Sequence, residues 1–259
     1  MKKNIVIALL GVFLLCEAPA FAAHPLITDD PNTQGKGKFQ VEVNGQTSVD
    51  DRTDATGTRS EVRDTALATV LSYGATKDVD LIIGALYRDY IVKENGTRAS
   101  AENGYSDVVI EVKWRFFEKD GFALALKPGV ILPSGNEQKG LGAGKAGYGA
   151  FLIGSKELEP FTVLVNVGYV RNENKLAEQV DLWHLSAAVI YKATEDLQLV
   201  ANIGQATNTD KSVDRYPAFV LAGAIYAISE RFDIDFGVKL GLNDVETDVI
   251  YLAGIALRF

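Results

Sequence analysis

Along most of the chain, apolar and polar residues alternate one by one. From Asp107 to Phe117, Val108, Ile110, Val112, Trp114 and Phe116 fall on one side, and Glu111, Lys113 and Arg115 on the other. From Phe161 to Tyr169, three valines and two aromatics alternate with Thr162, Leu164, Asn166 and Gly168. From Phe232 to Leu242, Phe232, Ile234, Phe236, Val238 and Leu240 oppose Asp233, Asp235, Gly237 and Lys239. A period of two puts successive side chains on opposite faces of an extended strand. No stretch carries a capped helical period. The same pattern marks about twelve strands, near 38–49, 61–74, 79–90, 106–117, 122–132, 145–154, 160–170, 182–193, 197–205, 217–228, 232–242 and 249–259. The tenth is apolar on both faces, and its pattern does not orient it.

The connections sort by parity. DDRTDATGTRSE, VKENGTRASAENGYS, PSGNEQKGLGAG, RNENKLAEQVD, QATNTDKSVDRY and NDVETD are polar and mostly long; ATKD, EKDG, SKELE, TED and SER are short. An even number of strands with short turns at one end and long loops at the other is the organisation of an outer-membrane barrel, with its short turns in the periplasm. The face taken as outward also carries two aromatic bands. Phe39, Tyr73, Phe116, Phe122, Phe161, Tyr191, Phe232 and Phe259 fall on the periplasmic side, and Tyr87, Tyr148, Tyr169, Trp183 and Tyr251 on the outer side. Aromatic girdles at both interfaces are what a lipid-facing wall requires. A soluble β-sandwich would share the alternation but explains neither the sorted loops nor the two bands. The expected fold is therefore all-β, a transmembrane antiparallel up-and-down β-barrel of about twelve strands.

The N-terminus fits that destination. Lys2 and Lys3, the apolar run Ile5 to Cys16 and the small-residue pattern Ala20-Phe21-Ala22 read as a signal peptide over 1–22, cleaved after Ala22 or Ala23, with the barrel over 23–259. A lipidated Cys16 is disfavoured by Leu15, since lipoprotein processing wants a small residue there. Cys16 is the only cysteine, so the mature chain forms no disulfide and depends on packing and hydrogen bonds. Loss of Lys2, Lys3 and Glu17 takes the net charge from −8 to −9. That acidity provides no basic face for nucleic acid. Beyond the signal no apolar run is long enough for a transmembrane helix.

Few motifs suggest chemistry. Gly142 to Gly147 (GAGKAG) has the spacing of a dinucleotide loop, but it precedes a strand rather than a helix, and Ala146 stands where a phosphate loop needs Ser or Thr. Asn95-Gly96-Thr97 fits a glycosylation sequon, but Asn-Gly in a loop reads more simply as a turn. His184 and Ser186 could form a hydrolytic pair, yet both take inward parity, away from acyl chains, and no acid partner can be placed. With His24 and His184 the only histidines, a histidine-rich metal site is not expected. No catalytic, metal or cofactor site is assigned. The inward polar set is more informative. Glu111, Lys113, Arg115, Lys127, Asn166, His184, Asp235 and Lys239 are the candidate lumen-lining residues, where charge in a narrow passage would select solutes by sign. Twelve strands fall between side-chain-filled small barrels and open porins, which implies a narrow or partly occluded lumen. No loop is long enough for a large internal plug, although PSGNEQKGLGAG could fold inward.

Several stretches carry a family resemblance: HPLITDDPNTQGKGKFQVE (24–42), LKPGVILPSGNEQKGLGAG (126–144), FTVLVNVGY (161–169), AFVLAGAIYAISERFDIDFGVKLGLND (218–244) and the closing GIALRF. Together they resemble the outer-membrane transporters named for the phenol meta-cleavage pathway, over nearly all of the mature chain. The resemblance implies an outer-membrane barrel that moves small molecules, with hydrophobic or aromatic compounds suggested by the family name alone. The expected function is passive passage of small solutes across the bacterial outer membrane, not enzymatic. The alternative is a closed-lumen surface or adhesion barrel acting through its extracellular loops, and the third reading is a lipid-modifying enzyme. Expected partners are outer-membrane lipids and lipopolysaccharide, the outer-membrane assembly machinery and an unidentified solute.

Tyr251, Ile255, Leu257 and Phe259 form the apolar face of the closing strand, and the terminal aromatic resembles the signal read by that assembly machinery. Deleting Phe259 should lower the yield of heat-modifiable, membrane-inserted barrel on gel electrophoresis, with transport per assembled barrel little changed. Normal insertion of the deletion variant would refute the assignment.

Overall fold

The β-strand alternation closes on itself. The computed structural model describes residues 24–53 and 57–259; the proposed signal peptide and its cleavage site lie outside them. Thirteen strands follow in order: β1 Phe39–Thr53, β2 Arg59–Gly74, β3 Val79–Glu94, β4 Thr97–Tyr105, β5 Val108–Lys119, β6 Phe122–Leu132, β7 Gly147–Leu158, β8 Phe161–Arg171, β9 Asp181–Lys192, β10 Leu197–Ala206, β11 Ala218–Ser229, β12 Phe232–Gly241 and β13 Val249–Arg258. Each pairs antiparallel with its sequence neighbours, apart from the β4–β5 step, and β1 pairs with β13 to make a closed ring of twelve with β4 as an extra strand. At the seam Phe259 N–H donates to the Phe39 carbonyl at 2.9 Å, and Phe39 N–H returns a bond of 3.2 Å. Closure of this kind lets every wall strand satisfy its backbone in hydrocarbon.

The extra strand corrects the expected layout. The segment read as the long loop VKENGTRASAENGYS is mostly β4, which pairs with the upper part of β3 while β5 pairs with the lower part. Here β4 and β5 are successive pieces of one descending wall strand, interrupted at Ser106-Asp107. Likewise β1 and β2 pair out to Thr53 and Arg59, through residues read as loop. These extensions rise past the apolar belt, where few inward residues, Val92 and Asp50 among them, are buried, so they carry no sustained apolar alternation to announce them. The β3–β4 turn is Asn95-Gly96, both with positive φ (48° and 78°), as a two-residue hairpin turn requires.

Outward parity places Leu67, Leu81, Ile110, Leu152, Val165, Leu185 and Ile203 on the exposed wall. The girdles are built from cross-strand ring pairs. Phe39–Tyr73, Phe117–Phe122 and Phe161–Tyr191 lie at the short-turn end, with centroids 4.6, 5.9 and 5.1 Å apart, and Tyr87–Tyr105 and Tyr169–Trp183 at the other, at 5.3 and 5.0 Å. A bulge in β5 between Arg115 and Phe117 turns Phe116 and Phe117 outward together. In β11, the strand whose faces the sequence did not distinguish, Phe219 and Leu221 point inward and Val220 and Tyr226 outward.

The loop over 133–146 does fold over the mouth. Asp107, buried at the β4–β5 break, accepts the N–H groups of Gly135 and Ala143 at 2.8 Å each. Leu141 packs against the inward Tyr90 and Val92, and the Tyr90 hydroxyl donates to the Lys139 carbonyl at 2.7 Å.

Candidate functional site: a plugged lumen

The lumen is occupied by the segment that precedes β1. Ahead of Phe39 the chain reverses at Gly35 and Gly37, both with positive φ (82° and 79°), and Gly37 N–H donates to the Gly74 carbonyl at 2.7 Å. A side chain at Gly74 would run into the Gly35 carbonyl, so the reversal depends on glycine on both sides. The Asp80 carboxylate accepts from Gln34 N–H (3.0 and 3.1 Å), and the Thr33 hydroxyl donates to the Lys77 carbonyl at 2.8 Å. From there residues 24–32 run up inside the barrel and turn back.

At mid-height the wall receives this plug with polar side chains. The Asp29 carboxylate lies between two lysines, with Oδ1 2.8 Å from Lys113 Nζ and Oδ2 2.8 Å from Lys127 Nζ. Lys113 also donates to the Asp30 carbonyl at 2.9 Å, and Glu111 approaches Lys127 at 3.5 Å. The Asn166 amide, oriented to satisfy both groups, donates to the Asp29 carbonyl (3.0 Å) and accepts from its N–H (2.6 Å). Asp29, Lys127 and Asn166 are each 0% exposed, so the Asp29 and Lys127 charges have left water entirely. On the next strands the Asn202 carbonyl oxygen accepts from Ile27 and Thr28 N–H at 2.7 and 3.1 Å. Its amide nitrogen donates to Thr28 Oγ1 at 2.7 Å, and Thr28 Oγ1 donates to Ser186 Oγ at 2.8 Å.

The tip is apolar and sits in an apolar seat. Leu26 packs with Leu164, Ala188, Val200, Phe219, Leu221, Ile250 and Leu252, a burial that contributes about 2 kcal/mol. Beyond it, Pro25 and His24 lie on a strip of the wall made of glycines. A Cβ on Gly223 or Gly237 would sit 2.7 Å from Pro25 carbons, and one on Gly254 would sit 2.6 Å from His24 Nδ1. His24 Nδ1 meets Asp235 Oδ1 at 2.5 Å.

The plug divides the lumen. Towards the short-turn end lie chambers of about 660 Å³, lined by Asp30, Glu42, Asp80, Lys113 and Arg258 among others, and about 360 Å³, which includes His24, Asp235 and Lys192. On the outer side a cavity of about 90 Å³ has Ile27, Phe219 and Ile250 against Arg88, Asp64, His184 and Lys239. Above it, loop 172–180 contains Glu178, whose Oε1 is buried without a hydrogen bond. Burial pushes its carboxyl up to about 7, against a lowering hydrogen bond from Asn172 and with a small further rise from Asp210.

The structure gathers Lys113, Lys127, Glu111 and Asn166 around Asp29, and places Asp235 on His24. Arg115 and Lys239 lie elsewhere. Arg115 pairs with Asp78 and Glu118 at 2.9 and 3.3 Å at the short-turn rim. Lys239 lies 3.5 Å from Glu246 and over the Phe219 ring at 4.8 Å, in the outer half. His184 Nε2 is 2.9 Å from Ser186 Oγ, but that hydroxyl accepts from Thr28 and faces the lumen rather than lipid. The sequence GAGKAG is the end of loop 133–146 running into β7. The expectation that no loop could form a large plug overlooked the segment before the first strand, and with it Asp29, Asn202 and the three glycines.

An apolar belt, two aromatic girdles and a filled lumen define a membrane-spanning β-barrel of the outer-membrane type. The chain belongs to the family described as "Putative MetA-pathway of phenol degradation", which matches residues 22–259. Among solved structures it is similar to an outer membrane channel from Pseudomonas putida F1 (TM-score 0.68, 12% identity, covering 89% of this chain and 98% of that one). It is also similar to the translocator domain of the autotransporter NalP from Neisseria meningitidis (0.56, 10%, 87% and 89%) and to the KdgM porin (0.56, 10%, 85% and 99%). At these identities the likeness is one of fold. No curated protein matches the sequence.

If the glycine strip is the seat, filling it should loosen the plug. Gly237→Ala and Gly254→Ala each force a contact that costs about 1–3 kcal/mol by overpacking. With Leu26→Cys as reporter in a chain starting at residue 23, which has no other cysteine, a water-soluble maleimide should label the alanine variants faster than the parent. Equal labelling rates would show that His24 and Pro25 do not hold the plug.

Proposed function

We propose that this protein is an outer-membrane channel for small solutes, gated by the segment 24–34. One observation carries the reading: the lumen is blocked by a separable piece of chain rather than by the wall's own side chains. A barrel meant to stay shut needs only large inward residues, as in small barrels. Here the wall instead provides glycines at Gly223, Gly237 and Gly254 and polar groups at Lys113, Lys127, Asn166 and Asn202 that the plug occupies. Chambers on either side extend the path.

On this reading Glu111, Lys113, Lys127, Asn166 and Asp235 line the gated section, His184 and Lys239 the outer section, and Arg115 the periplasmic exit. The channel sits in the outer membrane after removal of the signal peptide, its outer girdle against lipopolysaccharide, with the C-terminal Tyr251, Ile255, Leu257 and Phe259 read during assembly. Support for channel activity comes from the family and from the Pseudomonas putida F1 channel of similar fold. The family description favours aromatic compounds among the solutes.

Planar-bilayer recording of the mature protein tests this. The intact chain should conduct weakly or in rare openings, and deletion of residues 24–34 should give a larger, steady conductance. Silence of both proteins, with the barrels folded, would reject the channel and leave a closed surface barrel acting through its loops.

A further inference from the structure

The site that holds Asp29 belongs to the wall, and a carboxylate is what it is built to hold. Lys113 and Lys127 approach from β5 and β6, one to each carboxylate oxygen, at 2.8 Å. The fit is incomplete. Lys127 Nζ and Asp29 Oδ2 are close enough for an ion pair but not aligned for a hydrogen bond, and Glu111 Oε2 also lacks one. Asp80 on β3 stands across from Lys113, and Glu111 lies 3.5 Å from Lys127, so the wall supplies acids of its own. Only Asp29, however, puts a carboxylate oxygen 2.8 Å from each lysine at once. Withdrawal of the plug empties that cradle, and another carboxylate can take the same place.

The surroundings describe that anion. The Phe151 ring lies 5.5 Å from Lys127 Nζ, and Leu26, three residues before Asp29, fills a pocket of Leu164, Ala188, Val200 and Phe219. Asp29 and Leu26 together present a carboxylate beside an apolar body. Lys113 also lines the periplasmic chamber of about 660 Å³, so one side of the cradle opens to a space that a small molecule can enter.

We propose that Lys113, Lys127 and Asn166 form a binding site for the carboxylate of a small organic acid with an apolar body, that Asp29 occupies it as a tethered stand-in, and that such an acid opens the channel by taking its place. This rests on the gated-channel reading and adds the ligand class and the trigger. Binding energy comes from exchanging one buried carboxylate for another, so the charge balance of the site is kept while the tether is released. A neutral molecule of the same shape brings Lys113 and Lys127 no carboxylate oxygens and does not open the gate.

The test compares benzoate with benzamide at equal ionic strength set by sodium chloride, on the mature protein in bilayers and in the Leu26→Cys labelling assay. A plug-out state populated at roughly 0.1–10% leaves room for about a tenfold rise in opening and labelling with benzoate. Benzamide should change neither. Asp29→Asn should open and label without benzoate, and lose most of the further response to it. Lys127→Met, which removes one arm of the cradle, should blunt the benzoate response in any folded barrel. Equal effects of benzoate and benzamide, with the 24–34 deletion conducting, would overturn this proposal and leave the channel standing. Silence of the deletion variant would reject the channel itself, and labelling would still report whether benzoate moves the plug.

Discussion

A wall that faces hydrocarbon must pair its own backbone, and that requirement closes the ring. The bonds between Phe39 and Phe259 join the first and last strands. Closure then dictates the rest by geometry. Twelve strands enclose more space than their inward side chains fill, and the alternation that gives lipid its apolar face turns Glu111, Lys113, Lys127 and Asp235 towards that space. Buried charges need partners or water. The plug supplies partners for three of them: Asp29 for Lys113 and Lys127, and His24 for Asp235.

The plug is held by contacts of two kinds, with different consequences for movement. Leu26 and Pro25 fill an apolar, glycine-lined seat, whose fit depends on shape and is insensitive to salt. Asp29 makes a buried ionic contact whose favourable part is largely matched by the cost of drying the charges. Such a contact is costly to break by leaving one partner alone, yet close to balanced when a like group replaces it. The arrangement therefore tolerates exchange better than simple loss, which suits a gate that answers to a solute.

Much of the wall could be read in the sequence. The runs Phe161–Tyr169 and Phe232–Leu242 have one face for lipid and one for the lumen, and a period of two leaves no freedom about which residues share a face. The extensions of β1 to β4 could not be read that way, because beyond the outer girdle no lipid demands an apolar face and residues such as Thr97 to Ser100 need no pattern to pair. The plug was harder still. His24 to Gln34 has no period, and its partners are scattered over β3, β5, β6, β8, β9, β10 and β12, far apart in sequence. Traces of it were present all the same. Gly223, Gly237 and Gly254 share inward parity on three adjacent strands, a strip with no side chains that asks what lies against it. Lys113 and Lys127 point into one lumen from the paired strands β5 and β6, two amines that ask what lies between them.

The proposed gate opens the path through the barrel when residues 24–34 leave the middle of the lumen. Thr28 Oγ1 and Ser186 Oγ, 2.8 Å apart, offer a direct way to fix the plug in place. In the Thr28→Cys/Ser186→Cys variant, single-channel recording before and after reduction should find openings abolished in the oxidised, cross-linked barrel and restored by dithiothreitol. Openings of equal size and frequency in both states, with the disulfide verified, would contradict the account.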